Sequence, residues 1–167
     1  MMRRLASISL ILVLMIPGAS TVATPAVPVW RAGTPWSTER AHITIGSEVI
    51  EAEIADTSSL QVRGLGYRDG LQPGTGMLFK FEQSSVRSFW MRGMRFCLDI
   101  IWIENGLIVG AAENVCPMPD TAEADLPRYS SEAPVTYVLE VPGGWMDVHG
   151  FESGQPVEIE LPDSASE

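Results

Sequence analysis

The chain has 167 residues and a formal net charge of −10, or −12 once Arg3 and Arg4 at its start are set aside. Its length fits one domain. Charge of this sign repels nucleic-acid phosphate and anionic membrane surfaces, so neither is an expected partner, and acidity also favours solubility.

The opening stretch, MMRRLASISLILVLMIPGAS, places Arg3 and Arg4 before a short apolar run, Leu5 to Ile16, which Pro17 and Gly18 break. That order reads as a secretory signal over residues 1–23, cleaved after Ala23, with Ala19 and Ala26 as alternative sites. The run is shorter than the roughly 20 residues a membrane helix needs. An uncleaved signal segment would be the one membrane attachment. No Cys follows the run, so a lipid anchor is not expected. The protein is expected outside the cytoplasm, secreted or in the cell envelope.

Residues 24–40, rich in Pro and small side chains, read as a linker or N-terminal arm, with Trp30 and Trp36 as candidates for docking on the domain. A β domain is expected over 41–162, and 163–167 form a tail. HITIGSEVIEAEIA alternates on both sides of Gly46-Ser47, which predicts a hairpin with Ile43 facing Ile50, one face dry and one wet. DTSSLQVRGLGYR changes period; Asp56 can cap a short helix that Gly64 and Gly66 end. GMLFKF puts Met77, Phe79 and Phe81 on one side of a strand. VRSFWM follows as a strand with Val86, Ser88 and Trp90 on one face and Arg87, Phe89 and Met91 on the other.

FCLDIIWI and LIVGAAEN flank Asn105-Gly106, the signature of a two-residue hairpin turn. With Glu104 facing Leu107, position 97 faces 114, and Cys116 lies diagonal to Cys97 on the same face. In an exported protein these cysteines are expected to pair, at about 3 kcal/mol of stabilisation; two buried free thiols are the alternative, and their spacing excludes a CxxC redox site. Residues 115–133 read as a long loop with Pro117, Pro119 and Pro127 and the acids Asp120, Glu123 and Asp125. PVTYVLEV points Val135, Tyr137, Leu139 and Val141 one way. WMDVHG suits a turn or two of helix, and GQPVEIEL a last strand. The whole is mostly β: a β-sandwich or jelly-roll-like arrangement, or a partly open barrel, with one or two short helices.

RGLGYR, GMLFKF, FWMRGMRFCLDIIWI, YSSEAPVTYVLEVPGGW and HGFESGQPV, in that order and spacing over about residues 42–161, resemble the domain-of-unknown-function family 192, also called uncharacterised ACR. The resemblance implies a mostly-β, jelly-roll-like fold, often exported, and no activity. This chain carries Met91-Arg92-Gly93-Met94 where the family usually has Met-Lys-Asn-Thr, and Gly66 where it often has Met.

Asp99 stands alone in an apolar run. A buried carboxylate needs partners, and Arg63, Arg92 or Arg95 could form a bidentate pair with it. Six of the nine basic residues after the signal (Arg63, Arg68, Lys80, Arg87, Arg92, Arg95) fall between 63 and 95, a local reversal of sign on an acidic chain. Arg63 and Arg68 also suit the end of a helix. Of Phe89 and Trp90, one must enter the core; a tryptophan such as Trp90 is more often core than platform, but an exposed Trp90 beside Arg92 would stack on a ring. The ligand-binding candidates are therefore Arg63, Tyr67, Arg68, Trp90, Arg92 and Asp99. His42 and His149 lack metal-ligand company, no cofactor is expected, and no nucleophile elbow appears. Met91, Met94 and Met118 near Cys116 are soft donors that could hold copper, yet Met is a common core filler, and no metal is expected. The leading reading is a non-catalytic binding module for a small polar or anionic ligand, a glycan or a peptide. Its rivals are a hydrolase using Asp99 with a loop acid such as Asp120, and a docking module acting through the 115–133 loop.

Overall fold

The computed structural model describes residues 37–163. The signal-like segment, Trp30, Trp36 and the final residues lie outside the described residues. β1 (Arg40–Ile45) and β2 (Glu48–Ala55) form the expected hairpin, with Ile43 opposite Ile50. α1 (Ser58–Arg63) and the turns after it carry the chain across to β3 (Thr75–Ser85), which runs parallel to β2; parallel neighbours need such a crossover. Then come β4 (Ser88–Phe89), β5 (Leu98–Glu104), β6 (Leu107–Val115), β7 (Tyr129–Ser130), β8 (Val135–Pro142), α2 (Trp145–His149) and β9 (Val157–Glu160).

Seven strands form one sheet in the order β6-β5-β8-β3-β2-β1-β9, while β4 and β7 pair separately. The edge strands meet at one end: Ile108 N–H donates to the Gln155 carbonyl at 2.9 Å, and Val157 N–H to the Gly106 carbonyl at 2.8 Å. The sheet thus curls into a half-barrel, the partly open barrel of the expected architectures. Its inner face buries Ile43, Ile45, Ile50, Ile101, Ile103 and Leu139. Its outer face carries a second core, with Leu65, Met77, Phe79, Leu98, Ile100 and Trp102 under the segments around α1 and β4. β1 and β2 keep one wet face, as their alternation requires. β5 is dry on both faces, which is why Leu98 to Ile103 are all buried.

Three local expectations are corrected. Thr57, not Asp56, caps α1: its hydroxyl accepts the Leu60 N–H. The strand read from VRSFWM shrinks to Ser88–Phe89, because it pairs only with the equally short β7. Val135 leaves the face of Leu139 and Val141 for the outer core, since the β3–β8 register shifts between Lys80 and Ser85.

The β5–β6 register also shifts, between Leu98 and Ile100 and between Trp102 and Ile103. Each shift gives β6 an extra residue. Glu104 still faces Leu107, but Leu98 faces Val115, so Cys97 comes opposite Cys116 rather than diagonal to it. The two form a disulfide with their Cα atoms 4.0 Å apart. Asn114, in the second bulge, has φ +47°. Gly143 lies against this corner, where a Cβ would come within 2.8 Å of Cys97 Cβ, so only glycine lets β8 approach so closely.

Candidate functional site

Asp99 is fully buried, and among the described residues no arginine pairs with it. Its Oδ1 accepts the backbone N–H groups of Asn114 (2.6 Å) and Gly144 (2.9 Å), and its Oδ2 that of Met146 (2.8 Å). The expected Arg–Asp pair fails because a strand sends alternate side chains to opposite faces. Asp99 shares the inner side with Ile101, whereas α1 packs Leu60, and the 91–96 turn packs Met91 and Met94, on the outer core. The carboxylate instead holds the N–H that the bulge frees at Asn114, and caps α2, whose own N-cap, Gly144, has no side chain to do so. Full burial and three main-chain N–H partners fit a structural role for Asp99.

Arg68 lies on the outer face. Its Nη1 and Nη2 meet Glu53 Oε1 and Oε2 at 2.5 and 2.7 Å, a fork-to-fork pair. Glu53 stands opposite Met77 on β3, and Met77 opposite Glu140 on β8, so the two acids lie in one row across the sheet. Glu140 is 6 % exposed. Burial pushes its carboxyl up to about 8, against the pull of the Arg68 guanidinium.

The larger cleft, about 530 Å³, opens between α1, the outer end of β3 and β4. Phe79, Phe81, Phe89 and Trp90 give it an aromatic lining, Val62 and Val86 an apolar rim, and Ser58, Gln61, Ser88, Arg87 and Arg92 its polar groups. Gln61 Nε2 donates to the carbonyls of Ala55 (3.3 Å) and Lys80 (3.0 Å), which fixes α1 to β2 and β3. Phe89 turns inward, edge-on to Phe79 with ring centroids 4.9 Å apart. Trp90 therefore faces the cleft and not the core, with Arg128 3.7 Å and Arg92 4.8 Å from its ring centre.

Arg87 is positioned by the buried Ser131, whose N–H donates to the Arg87 carbonyl at 2.9 Å and whose hydroxyl accepts the Arg87 N–H at 3.0 Å. Its guanidinium lies 3.7 Å over the Phe81 ring, and Nη2 donates to the Gln83 carbonyl. Nε is buried with no hydrogen-bond partner, and burial lowers the pKa of the group.

A smaller cleft of about 230 Å³ lies on the other side of Arg92, between Tyr67, the Met91–Met94 turn and the 117–126 stretch of the long loop. Arg92 reaches Glu123 there at 3.3 Å. Gly93 has φ +67° and lies against the Tyr67 ring, where a Cβ would come within 2.5 Å of the ring carbons; Tyr67 N–H donates to the Gly93 carbonyl at 2.6 Å. The ring occupies the place an asparagine side chain would take. Gly93→Ala should therefore displace Tyr67 and cost about 1–3 kcal/mol. Urea unfolding and the near-UV circular dichroism of Tyr67 would read this; an unchanged spectrum and midpoint would contradict it.

The six sequence candidates thus separate. Trp90 and Arg92 line the larger cleft, Tyr67 and Arg92 the smaller. Arg68 is committed to Glu53, Arg63 is half-buried in the last turn of α1 outside both linings, and Asp99 is internal. Arg87, Phe81, Gln61 and Arg128 were missed. Arg87 was visible in the basic cluster, but nothing local set it over Phe81. Arg128 lay in a loop whose docking no periodicity encodes.

Fold and clefts together define a mostly-β protein whose curled sheet carries a basic, aromatic cleft on its outer face. The chain belongs to the domain-of-unknown-function family 192, described as Uncharacterized ACR, whose model matches residues 41–159. No curated protein matches it. It is similar to a suggested transcription regulator from Sinorhizobium meliloti 1021, with 29% identity and a TM-score of 0.64 over 75% of this chain and 95% of that one. It is also similar to a protein of unknown function from Novosphingobium aromaticivorans DSM 12444, with 30% identity and a TM-score of 0.62 over 71% of this chain and 83% of that one.

Proposed function

We propose that the protein is an extracytoplasmic, non-catalytic binding module that takes a small anionic ligand with a ring or apolar body in the larger cleft. One observation carries this reading: on a chain with net charge −10, the charged groups that line the cleft among the described residues are Arg87 and Arg92, with no carboxylate. Such a cleft attracts an anion by its local field. Its aromatic lining favours a flat apolar body, and a guanidinium fork suits a carboxylate or phosphate. The Arg92–Glu123 pair is half-exposed and weak enough to yield to a ligand. Export is supported by the signal-like N-terminus and by the Cys97–Cys116 disulfide.

A thermal-shift screen of carboxylates, phosphates, neutral sugars and short peptides tests the reading. Ring-bearing carboxylates or phosphates should raise the midpoint. Arg92→Ala or Arg87→Ala should weaken that binding at least tenfold, the loss expected of a charge-assisted contact worth about 1.5–3 kcal/mol. A response confined to neutral sugars or peptides, or one that survives both substitutions, would overturn it.

A further inference from the structure

We propose that Met91, Met94 and Met118 form a binding site for a soft monovalent cation, Cu(I), in the smaller cleft. The described residues hold five methionines, and three of them line this one cleft of about 230 Å³. Met77 and Met146, each 2% exposed, are core fillers; Met91, 5% exposed, is buried in the outer core but borders this cleft. Packing does not explain Met118 in the same way: it sits on the long loop and is 45% exposed.

The disulfide brings the donors together. Met94 lies three residues before Cys97 and Met118 two after Cys116, and the bridge holds the two cysteine Cα atoms 4.0 Å apart. Once both cysteines are oxidised, thioethers are the soft donors left in this corner. Thioethers select Cu(I) over harder divalent ions, and they need lose no proton to bind it. Among the described residues neither His nor Asp lines the cleft, and its charged pair, Arg92 and Glu123 at 3.3 Å, largely cancels. A neutral, sulfur-rich cleft suits a single positive charge better than two.

This inference does not rest on the ligand proposed for the larger cleft, but Arg92 borders both, and drawing it from Glu123 would leave the smaller cleft negative, so no such ligand is present in the test. Anaerobic competition between the oxidised, full-length protein and the bicinchoninate complex of Cu(I) tests it. One equivalent of Cu(I) should pass to the protein, and Zn(II) should not bind there. Met118→Leu, at an exposed position, should weaken Cu(I) binding at least tenfold, as should Met94→Leu, because leucine keeps the volume and removes the sulfur; Met146→Leu should change nothing. Circular dichroism would check that each variant keeps its fold. Copper remaining on the chelator, or equal uptake by a folded variant with leucine at 91, 94 and 118, would overturn the assignment.

Discussion

Asp99→Ala should lower the stability of the folded protein by about 3–5 kcal/mol, the largest loss expected from any single substitution here. Three backbone N–H groups, those of Asn114, Gly144 and Met146, end on this one carboxylate. Alanine leaves all three donors without it, and that of Met146 is buried. Asp99→Asn keeps the shape but replaces one oxygen with an amide that points hydrogens at N–H groups, so it should recover only part of the loss. Because the Asn114 bulge aligns Cys97 with Cys116, both variants should also form the disulfide less completely. Urea unfolding, with thiol titration of the folded protein, measures both effects. If Asp99→Ala unfolds at the wild-type midpoint, the carboxylate is not the clamp described above.

The second large effect is a dependence of stability on pH that runs through Glu140. In the unfolded chain this carboxyl loses its proton near its ordinary value of 4.5, whereas in the folded protein burial holds the proton until about 8. Between those limits the folded state binds more protons than the unfolded one. Stability therefore falls as pH rises through that window, by at most about 1.4 kcal/mol per pH unit, and levels off above it. Glu140→Gln fixes the side chain in a neutral form of nearly the same shape. The stability profile between pH 5 and 8.5 should flatten, and at pH 8 the variant should be more stable than the wild type by a few kcal/mol. Glu104 does not confuse the reading. The hydrogen bond from the Thr136 hydroxyl holds it below the usual carboxylate range, so its contribution is lost on the acid side of the window. A slope that persists in Glu140→Gln would place the titrating group elsewhere.

Both effects were partly hidden in the sequence, for a shared reason. Alternation in PVTYVLEV points Val135, Tyr137, Leu139 and Val141 one way and so leaves Glu140 on the other face, with nothing local to say that this face is covered. The outer face is instead covered by the segments around α1 and β4, whose placement depends on contacts between residues far apart in the chain. Asp99 was recognised as a carboxylate that needs partners, and the nearby arginines were the natural candidates. Its actual partners are main-chain N–H groups at 114, 144 and 146, which every sequence possesses and none advertises.

The binding surface divides in the same way. The excess of arginine between 63 and 95 was legible in the sequence. Which of these arginines stand free was not: Arg68 is taken by Glu53, while Arg87 is set over Phe81 by its bonds to Ser131, 44 residues away. Trp90 and Phe89 were known to face opposite ways, but only the packing of Phe89 on Phe79 and Trp102 decides which of them enters the core.

What the sequence by itself determined is the mostly-β architecture, the turns at Gly46-Ser47 and Asn105-Gly106, the short helices and the family. These follow from side-chain period and turn chemistry, which act over a few residues. Only the tertiary structure decided the cross-strand alignment of Cys97 with Cys116, the partners of Asp99, the burial of Glu140 and the composition of the two clefts. Two bulges in β6 shift its register by two residues, and a second layer covers the sheet's outer face. Both are outcomes of long-range packing, where each local preference is weaker than the sum of the contacts it must fit.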